Sequence, residues 1–139
     1  MYILDTNVVS ELRKIPFGRC DENVSSWASD IDFSTTYLSV ISVMEIELGI
    51  QQIHRRDKKQ SSTLKKWFEE LLVVYEHRVL SFDSTVALKT ASLHVPDPMP
   101  DRDAVIAGTA LVHGFIVVTR NLSDFSSTNV QLRNPWKSD

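Results

Sequence analysis

The fold of this chain is decided by residues 1–8, which read Met1-Tyr2-Ile3-Leu4-Asp5-Thr6-Asn7-Val8. The apolar run Tyr2–Leu4 predicts a short buried strand. The run stops at three residues that favour helix caps and turns, and the spacing of apolar residues over 8–14 then predicts a helix. A buried strand that ends in a polar tip and passes directly into a helix is typical of an α/β protein.

The same alternation continues along the chain. Residues rich in β-branched and aromatic side chains predict strands at 37–41, 79–82 and 115–119. Apolar residues at helical spacing predict helices over 24–31, from 42 onward, over 85–94 and over 104–113, and a helix or helical hairpin over 54–75. Because strands that alternate with helices favour a parallel sheet, we predict a single α/β domain over 1–139, with a central parallel sheet flanked by helices.

Composition and charge limit the class of protein. Of the 139 residues, 42 % are apolar and 24 % are charged, and a chain of this length buries roughly 70 % of its unfolded surface. The formal net charge of −3 excludes a basic field over the whole surface, so any nucleic-acid contact is expected to be local. The single cysteine, Cys20, excludes an internal disulfide framework and a thiolate zinc cluster. With neither a secretory signal nor an apolar run of ~20 residues, the expected location is the cytoplasm.

Four acidic residues from distant parts of the chain are predicted to lie on one edge of the sheet. In a parallel sheet each covering helix runs antiparallel to the strands, so helix starts and strand ends share the carboxyl edge. Asp5 follows the first strand, and Asp124 follows the last strong strand. Glu45 is expected in the first turn of the helix after the second strand, and Asp103 opens the helix over 104–113.

A cluster of carboxylates requires a cation. Two carboxylates about 4 Å apart repel by about 4 kcal/mol at an effective dielectric near 20. Oxygen ligands without cysteine favour Mg²⁺ or Mn²⁺, and the four histidines are scattered along the chain without ligand spacing. Such ions promote phosphoester hydrolysis by activating water and by stabilising charge on the phosphate. Nothing in the sequence has the spacing typical of Ser-His-Asp catalysis.

Each acid also has a structural explanation. Asp5 is a suitable N-cap for the helix that follows it, and Asp124 is a suitable turn residue. Glu45 fits the reciprocal half of a capping box with Ser42, and Asp103 is a favourable charge at a helix N-terminus. The helix around Glu45 is apolar on nearly every side, so we expect it to be largely buried, with Glu45 facing a partner or an open cleft.

Four segments of the chain together carry a recognisable pattern. They are Leu4-Asp5-Thr6-Asn7-Val8, Ile41-Ser42-Val43-Met44-Glu45-Ile46-Glu47-Leu48-Gly49-Ile50, Asp103-Ala104-Val105-Ile106-Ala107-Gly108-Thr109-Ala110 and Thr119-Arg120-Asn121-Leu122-Ser123-Asp124-Phe125. In this order and at these separations they resemble the PIN-domain proteins, specifically the VapC/FitB group of bacterial toxin ribonucleases. One such motif is weak evidence, whereas four in register over almost the whole chain are specific.

The resemblance implies a Mg²⁺- or Mn²⁺-dependent endoribonuclease. By position it implies that the metal-site acids are Asp5, Glu45, Asp103 and Asp124. It favours Glu45 over Glu47 because Glu45 stands four residues before Gly49, and Asp103 over Asp101 because Asp103 directly precedes Ala104. It also implies supporting polar groups near the metal or the scissile phosphate at Thr6, Asn7, Thr119 and Asn121. Gly108 stands where alanine is commoner, which is expected to loosen its helix by up to ~1 kcal/mol.

The resemblance further implies partners. The free enzyme would be toxic, so a cognate antitoxin of the VapB/FitA type is expected to bury a segment in the cleft. DNA is expected to associate only through that antitoxin. The remaining implications are an RNA substrate, a homodimer and no membrane contact.

Basic residues are candidates for phosphate contacts. Without the four proposed ligands, the 18 acids fall to 14 against 15 bases, so the negative balance is concentrated where a cation would bind. Arg120 is either a phosphate contact or the ion-pair partner of a site acid. The basic stretch 55–66 either steers RNA phosphates or is a solvated helix face.

Three other functions stay open. A haloacid-dehalogenase-like phosphotransferase also begins with an aspartate at a strand end, but it normally needs a second aspartate two residues later, where this chain has Asn7. A non-catalytic PIN-type module would bind RNA or a protein without cutting. A metal-dependent DNase is the third, because nothing in the sequence marks recognition of the 2′-hydroxyl.

Overall fold

The computed structural model describes residues 1–138, which form one five-stranded sheet with helices on both faces. The strands are β1 (Tyr2–Leu4), β2 (Thr36–Ser39), β3 (Val79–Leu80), β4 (Ile116–Val118) and β5 (Leu132–Arg133). Their order across the sheet is β3-β2-β1-β4-β5, and every neighbouring pair is parallel. This confirms the predicted α/β architecture with a central parallel sheet.

Six α-helices connect these strands within residues 1–138. They are α1 (Thr6–Leu12), α2 (Glu22–Asp30), α3 (Val40–His54), α4 (Lys58–Val74), α5 (Ser84–Ser92) and α6 (Asp101–His113). The segment 54–75, predicted as a helix or a helical hairpin, forms one helix, α4, after the turn that follows the end of α3 at His54. Across this described part of the chain, every helix is too short or too polar to cross a membrane.

The core lies in two layers because successive residues of a strand point to opposite faces of the sheet. Ile3 and Leu4 are both inaccessible to solvent, but they belong to different clusters. The first cluster contains Leu4, Val8, Trp27, Ile46 and Phe68, and the second contains Ile3, Ile106, Ala110, Val117 and Phe125. Full burial of one large apolar side chain stabilises the fold by about 1.5–3 kcal/mol. Both clusters contain such side chains, so the helices on both faces stabilise the sheet.

The direction of the connections reverses beside β1, the central strand. From β1 the chain moves outward through β2 to β3, and it then crosses to β4 on the other side and continues to β5. The backbone N–H of Asp5 donates to the carbonyl of Val118 at 2.9 Å, which joins the carboxyl ends of β1 and β4. Open α/β sheets bind ligands at such a switch point.

The N-cap of helix α3 lies three residues earlier than the sequence predicts. This N-cap is Ser39, whose Oγ accepts the backbone N–H of Ile41 at 3.1 Å. Ser42 is buried inside the helix, so the predicted capping box between Ser42 and Glu45 is wrong. Glu45 lies in the second turn of α3 rather than the first. The reason is that the strand ends at Ser39, and the serine at that end caps the helix.

Two other predictions about the elements are corrected. Helix α3 was expected to be largely buried, but Met44 is 48 % exposed and Leu48 is 38 % exposed, because one side of α3 is not covered by another element of residues 1–138. Strand β5 was not predicted, because two residues at a sheet edge carry no periodic pattern.

Helices α5 and α6 pack closely at a glycine. A Cβ atom added to Gly108 would collide with Oγ1 of Thr90 and would lie 3.2 Å from the Cα atom of Thr90. The Thr90 hydroxyl is buried and has no hydrogen-bond partner among the described residues. The glycine that was expected to loosen α6 therefore allows α5 to approach it.

Candidate metal centre

Asp5 lies at the switch point, directly after β1, where its side chain is 7 % exposed. Its Oδ1 accepts the backbone N–H of Thr6 at 2.8 Å, and its Oδ2 accepts the hydroxyl of Thr119 at 2.7 Å. Burial raises the pKa of Asp5 above its ordinary value, and the charge of Asp124 raises it further, against the two hydrogen bonds. A carboxylate in this position therefore favours a nearby positive charge.

Glu45 reaches the same edge from α3. Its Oε1 accepts the hydroxyl of Thr6 at 3.2 Å, and Nη1 of Arg102 lies 3.4 Å from its Oε2. The Glu45 side chain is 22 % exposed. It therefore faces an open cleft with a partner, which agrees with the expectation from its apolar helix.

Asp103 and Asp124 complete the group of acids. Asp103 lies in the first turn of α6, and Asp124 lies in the 3₁₀ helix Leu122–Phe125 that follows β4. The pKa of Asp103 is raised to about 6, first by burial and then by the charges of Asp5, Asp124 and Glu45. The structure thus brings all four predicted carboxylates within electrostatic reach of one another.

The four acids fit a hard divalent cation by their chemistry. They offer only carboxylate oxygens, and the charges of Asp5, Asp124 and Glu45 add to burial in raising the pKa of Asp103. As the side chains stand, however, no three of the His, Cys, Asp and Glu residues in 1–138 form a closed ligand set. Thr119 and Thr6 hold Asp5, while Thr6 and Arg102 hold Glu45. A cation would have to draw these carboxylates inward.

The supporting polar residues predicted from the sequence lie around the acids. Nδ2 of Asn7 donates to Asp5 at 3.4 Å, and its Oδ1 accepts the backbone N–H of Arg120 at the same distance. Asn121 contributes through its backbone N–H, which donates to the Thr119 hydroxyl at 3.1 Å. Thr119 therefore both donates to Asp5 and accepts from Asn121, which fixes its hydroxyl.

Two arginines at this edge have different partners. The guanidinium of Arg120 lies over the Trp136 ring at 5.2 Å, and it makes no ion pair with a site acid among residues 1–138, so the ion-pair alternative for Arg120 is wrong. The arginine that pairs with an acid is Arg102, which the sequence analysis missed. One signal was present: a positive charge in the first turn of a helix is unfavourable and calls for a nearby anion.

Several concave surfaces lie outside the acids, and two of them are formed with helix α4 and are large. The first, the apolar groove, has a volume of about 510 Å³, lies between α1 and α4, and is lined by residues that include Leu12, Phe17, Leu64, Trp67 and Leu71. The second, the basic groove, has a volume of about 930 Å³ between α3 and α4 and is lined by residues that include Arg55, Lys58 and Lys65. None of the four acids lines either surface.

Comparison with known proteins identifies the family. The chain matches the PIN domain over residues 2–129. It is 33 % identical to VapC ribonuclease Y4jK of Sinorhizobium fredii, with 99 % of each protein covered, and 32 % identical to toxin FitB of Neisseria gonorrhoeae, with 98 % of this chain and 99 % of that protein covered. The crystal structure of FitAcB from Neisseria gonorrhoeae matches with a TM-score of 0.89 at 30 % identity, covering 99 % of this chain and 100 % of that one. The chain belongs to the PIN domain family.

Proposed function

We propose that this member of the PIN domain family is a Mg²⁺- or Mn²⁺-dependent endoribonuclease and the toxin of a type II toxin–antitoxin pair. The observation that carries the proposal is the convergence of carboxylates at the switch point of the sheet: Thr6 donates to both Asp5 and Glu45, and Arg102, the neighbour of Asp103, lies 3.4 Å from Glu45. Holding these like charges together costs stability, and a divalent cation offsets that cost. Similarity to a VapC ribonuclease and to toxin FitB supports the same activity.

Asp5, Glu45 and Asp103 would hold the cation, and Asp124 would assist through water or a second ion. When bound, the cation supplies Lewis acidity and lowers the pKa of coordinated water. Thr119 and Thr6 orient the Asp5 carboxylate through their hydrogen bonds, and Asn7 joins that carboxylate to the backbone at Arg120. Hydrolysis at this edge would add water to the phosphorus and break the P–O3′ bond, with a proton passing to the leaving oxygen, so that a 3′-hydroxyl and a 5′-phosphate would result.

The basic groove supports a polyanionic substrate. Three basic residues of the stretch 55–66 line the same concave surface: Arg55, Lys58 and Lys65. Single-stranded nucleic acids bind to such positive surfaces through their phosphates. Arg120 remains the proposed phosphate contact beside the acids, where its guanidinium lies against Trp136.

The proposed protein partner is a cognate antitoxin of the VapB/FitA type. This proposal is supported by the similarity of the chain to toxin FitB and to the FitAcB structure, both of Neisseria gonorrhoeae. A segment of the antitoxin would cover the acids and block the substrate, and DNA would associate through the antitoxin. The protein itself is proposed to be a homodimer in the cytoplasm.

The direct test is incubation of the purified protein with total RNA in Mg²⁺, in Mn²⁺ or in chelator, followed by mapping of the cut ends. A single-stranded DNA of matching sequence serves as the second substrate. We expect cleavage of RNA with either metal, none in chelator, and ends that carry a 5′-phosphate. Cleavage of DNA alone would favour the DNase, and binding without cleavage would favour the non-catalytic module. The haloacid-dehalogenase-like alternative is excluded by membership of the PIN domain family.

A further inference from the structure

Arg102 forms a contact that bridges two helices at the acidic edge. Its Nη1 atom lies 3.4 Å from Oε2 of Glu45, across 57 positions of sequence. The Arg102 side chain is 47 % exposed, and that of Glu45 is 22 % exposed. The other carboxylate oxygen of Glu45 is occupied by the Thr6 hydroxyl. Glu45 is therefore held at both oxygens, on one side by a hydroxyl and on the other by a full positive charge.

The location of Arg102 is unfavourable for a residue that only stabilises the fold. It lies in the first turn of α6, where the helix dipole repels positive charge. A half-exposed pair with one contact at 3.4 Å adds little to stability. What the pair does alter is the charge of the site, because Arg102 adds one positive charge beside Glu45.

We propose that Arg102 is an internal counter-ion for Glu45. It is a positioning residue that keeps Glu45 out of the ligand set until a divalent cation takes the place of Arg102. The inference rests on the proposed metal-dependent function. It accounts for two observations together: Thr6 and Arg102 hold the two oxygens of Glu45, and no three of the candidate ligands in residues 1–138 form a closed set. Cation binding requires Glu45 to leave Arg102, and therefore Arg102 lowers the affinity of the site for the cation.

The test is calorimetric titration of Mn²⁺ into the RNA-free protein. Arg102→Gln removes the charge and the contact, so we expect Mn²⁺ to bind roughly threefold tighter than to the parent, in line with the small free energy of a half-exposed pair. Arg56→Gln is the matched control, because it removes the same charge from the turn beyond the end of α3, and it should leave the Mn²⁺ affinity unchanged. Circular dichroism confirms that each variant is folded.

A second comparison shows whether Arg102 acts through Glu45. In a Glu45→Gln background the Arg102→Gln substitution should lose at least half of its effect on log affinity, because the ion pair no longer exists. An undiminished effect would mean that Arg102 acts on the cation directly, and an unchanged affinity in the single variant would exclude the counter-ion role; both outcomes overturn the inference.

The failure of this inference is distinguishable from the failure of the proposed function. One outcome would refute only the counter-ion role. In that outcome Mn²⁺ binds the parent, fails to bind Asp103→Asn, and binds Arg102→Gln no more tightly than it binds the parent. A parent and variants that all fail to bind Mn²⁺ would refute both.

Discussion

The carboxylate cluster and the contact between α5 and α6 are both places where the fold brings groups closer than the groups themselves favour. In the cluster, like charges converge, and burial together with these charges raises the pKa of Asp103 to about 6. In the helix contact, Gly108 lies against Thr90 with no room for a Cβ atom. A bound ligand can relieve the first conflict, whereas the second is avoided because a side chain is absent.

The two regions differ in what a substitution does to stability and to activity. Removing one group from the cluster should relieve repulsion and spare the fold while it removes activity. Adding one group to the helix contact should destabilise the fold and leave the chemistry alone. Substitutions in the two regions therefore have opposite signs for stability, and each region serves as a control for the other.

The largest expected effect is that of Asp5→Asn on RNA cleavage. Loss of a group that hydrogen-bonds a metal ligand typically costs 10- to 100-fold in activity. Loss of the ligand itself should cost more, so we expect the cleavage rate to fall by at least about 100-fold. The unfolding midpoint of the metal-free protein should not fall, since one buried like charge is removed. Cleavage assays and thermal unfolding measure the two quantities.

The control for Asp5→Asn is Asp101→Asn. Asp101 is an exposed acid that precedes Asp103 by two residues and contributes to none of the site hydrogen bonds described above. Cleavage should stay near the parental rate in this variant. Parental cleavage by Asp5→Asn in Mg²⁺ would contradict the assignment of the site.

The next effect in size is the loss of stability in Gly108→Ala. Helix propensity alone favours alanine by up to ~1 kcal/mol, but the added Cβ meets Oγ1 of Thr90 and lies 3.2 Å from its Cα atom. Overpacking of this kind costs about 1–3 kcal/mol, so we expect net destabilisation in urea unfolding. Thr90→Ala in the same chain should restore part of the loss, because it removes the hydroxyl.

The control for Gly108→Ala is Gly49→Ala on α3. A Cβ atom at Gly49 meets no atom within 4 Å, so propensity should dominate and the protein should gain up to ~1 kcal/mol. Equal effects of the two substitutions would show that the contact between α5 and α6 is looser than described.

The smallest expected effect is a dependence of stability on pH that originates in Asp103. Its pKa is about 6 in the folded chain against the ordinary 3.8, so the folded state binds a proton more readily than the unfolded state does. Stability therefore falls as pH rises from about 4 to above 6. Because Asp103 is partly exposed, solvent screening limits this loss to about 1 kcal/mol.

The measurement compares the parent with Asp103→Asn in metal-free buffer. The advantage of the variant should grow between pH 4 and 7, and saturating Mn²⁺ should reverse it, since the cation binds the parent. A difference in unfolding midpoint that is the same at every pH would show that Asp103 ionises normally.

Much of the fold was readable from the sequence because it depends on local patterns. Tyr2–Leu4 is a short apolar run with a polar end, and that pattern predicts a buried strand and its tip. Glu45, Asp103 and Asp124 were placed at the same edge by the rule that strand ends and helix starts coincide in a parallel sheet. The start of α3 was misplaced because Ser39 and Ser42 are both suitable caps, and only the end of β2 selects Ser39.

The sequence by itself determined the order of strands β1 to β4 and of the helices between them, the parallel sheet and the acids at its carboxyl edge, because each follows from apolar periodicity and from the residues that stop it. The tertiary structure alone decided that Arg102 pairs with Glu45, that Asp103 has a raised pKa and that Gly108 receives Thr90. These features depend on distances between groups from separate elements. Only the packing of α3, α5 and α6 sets those distances.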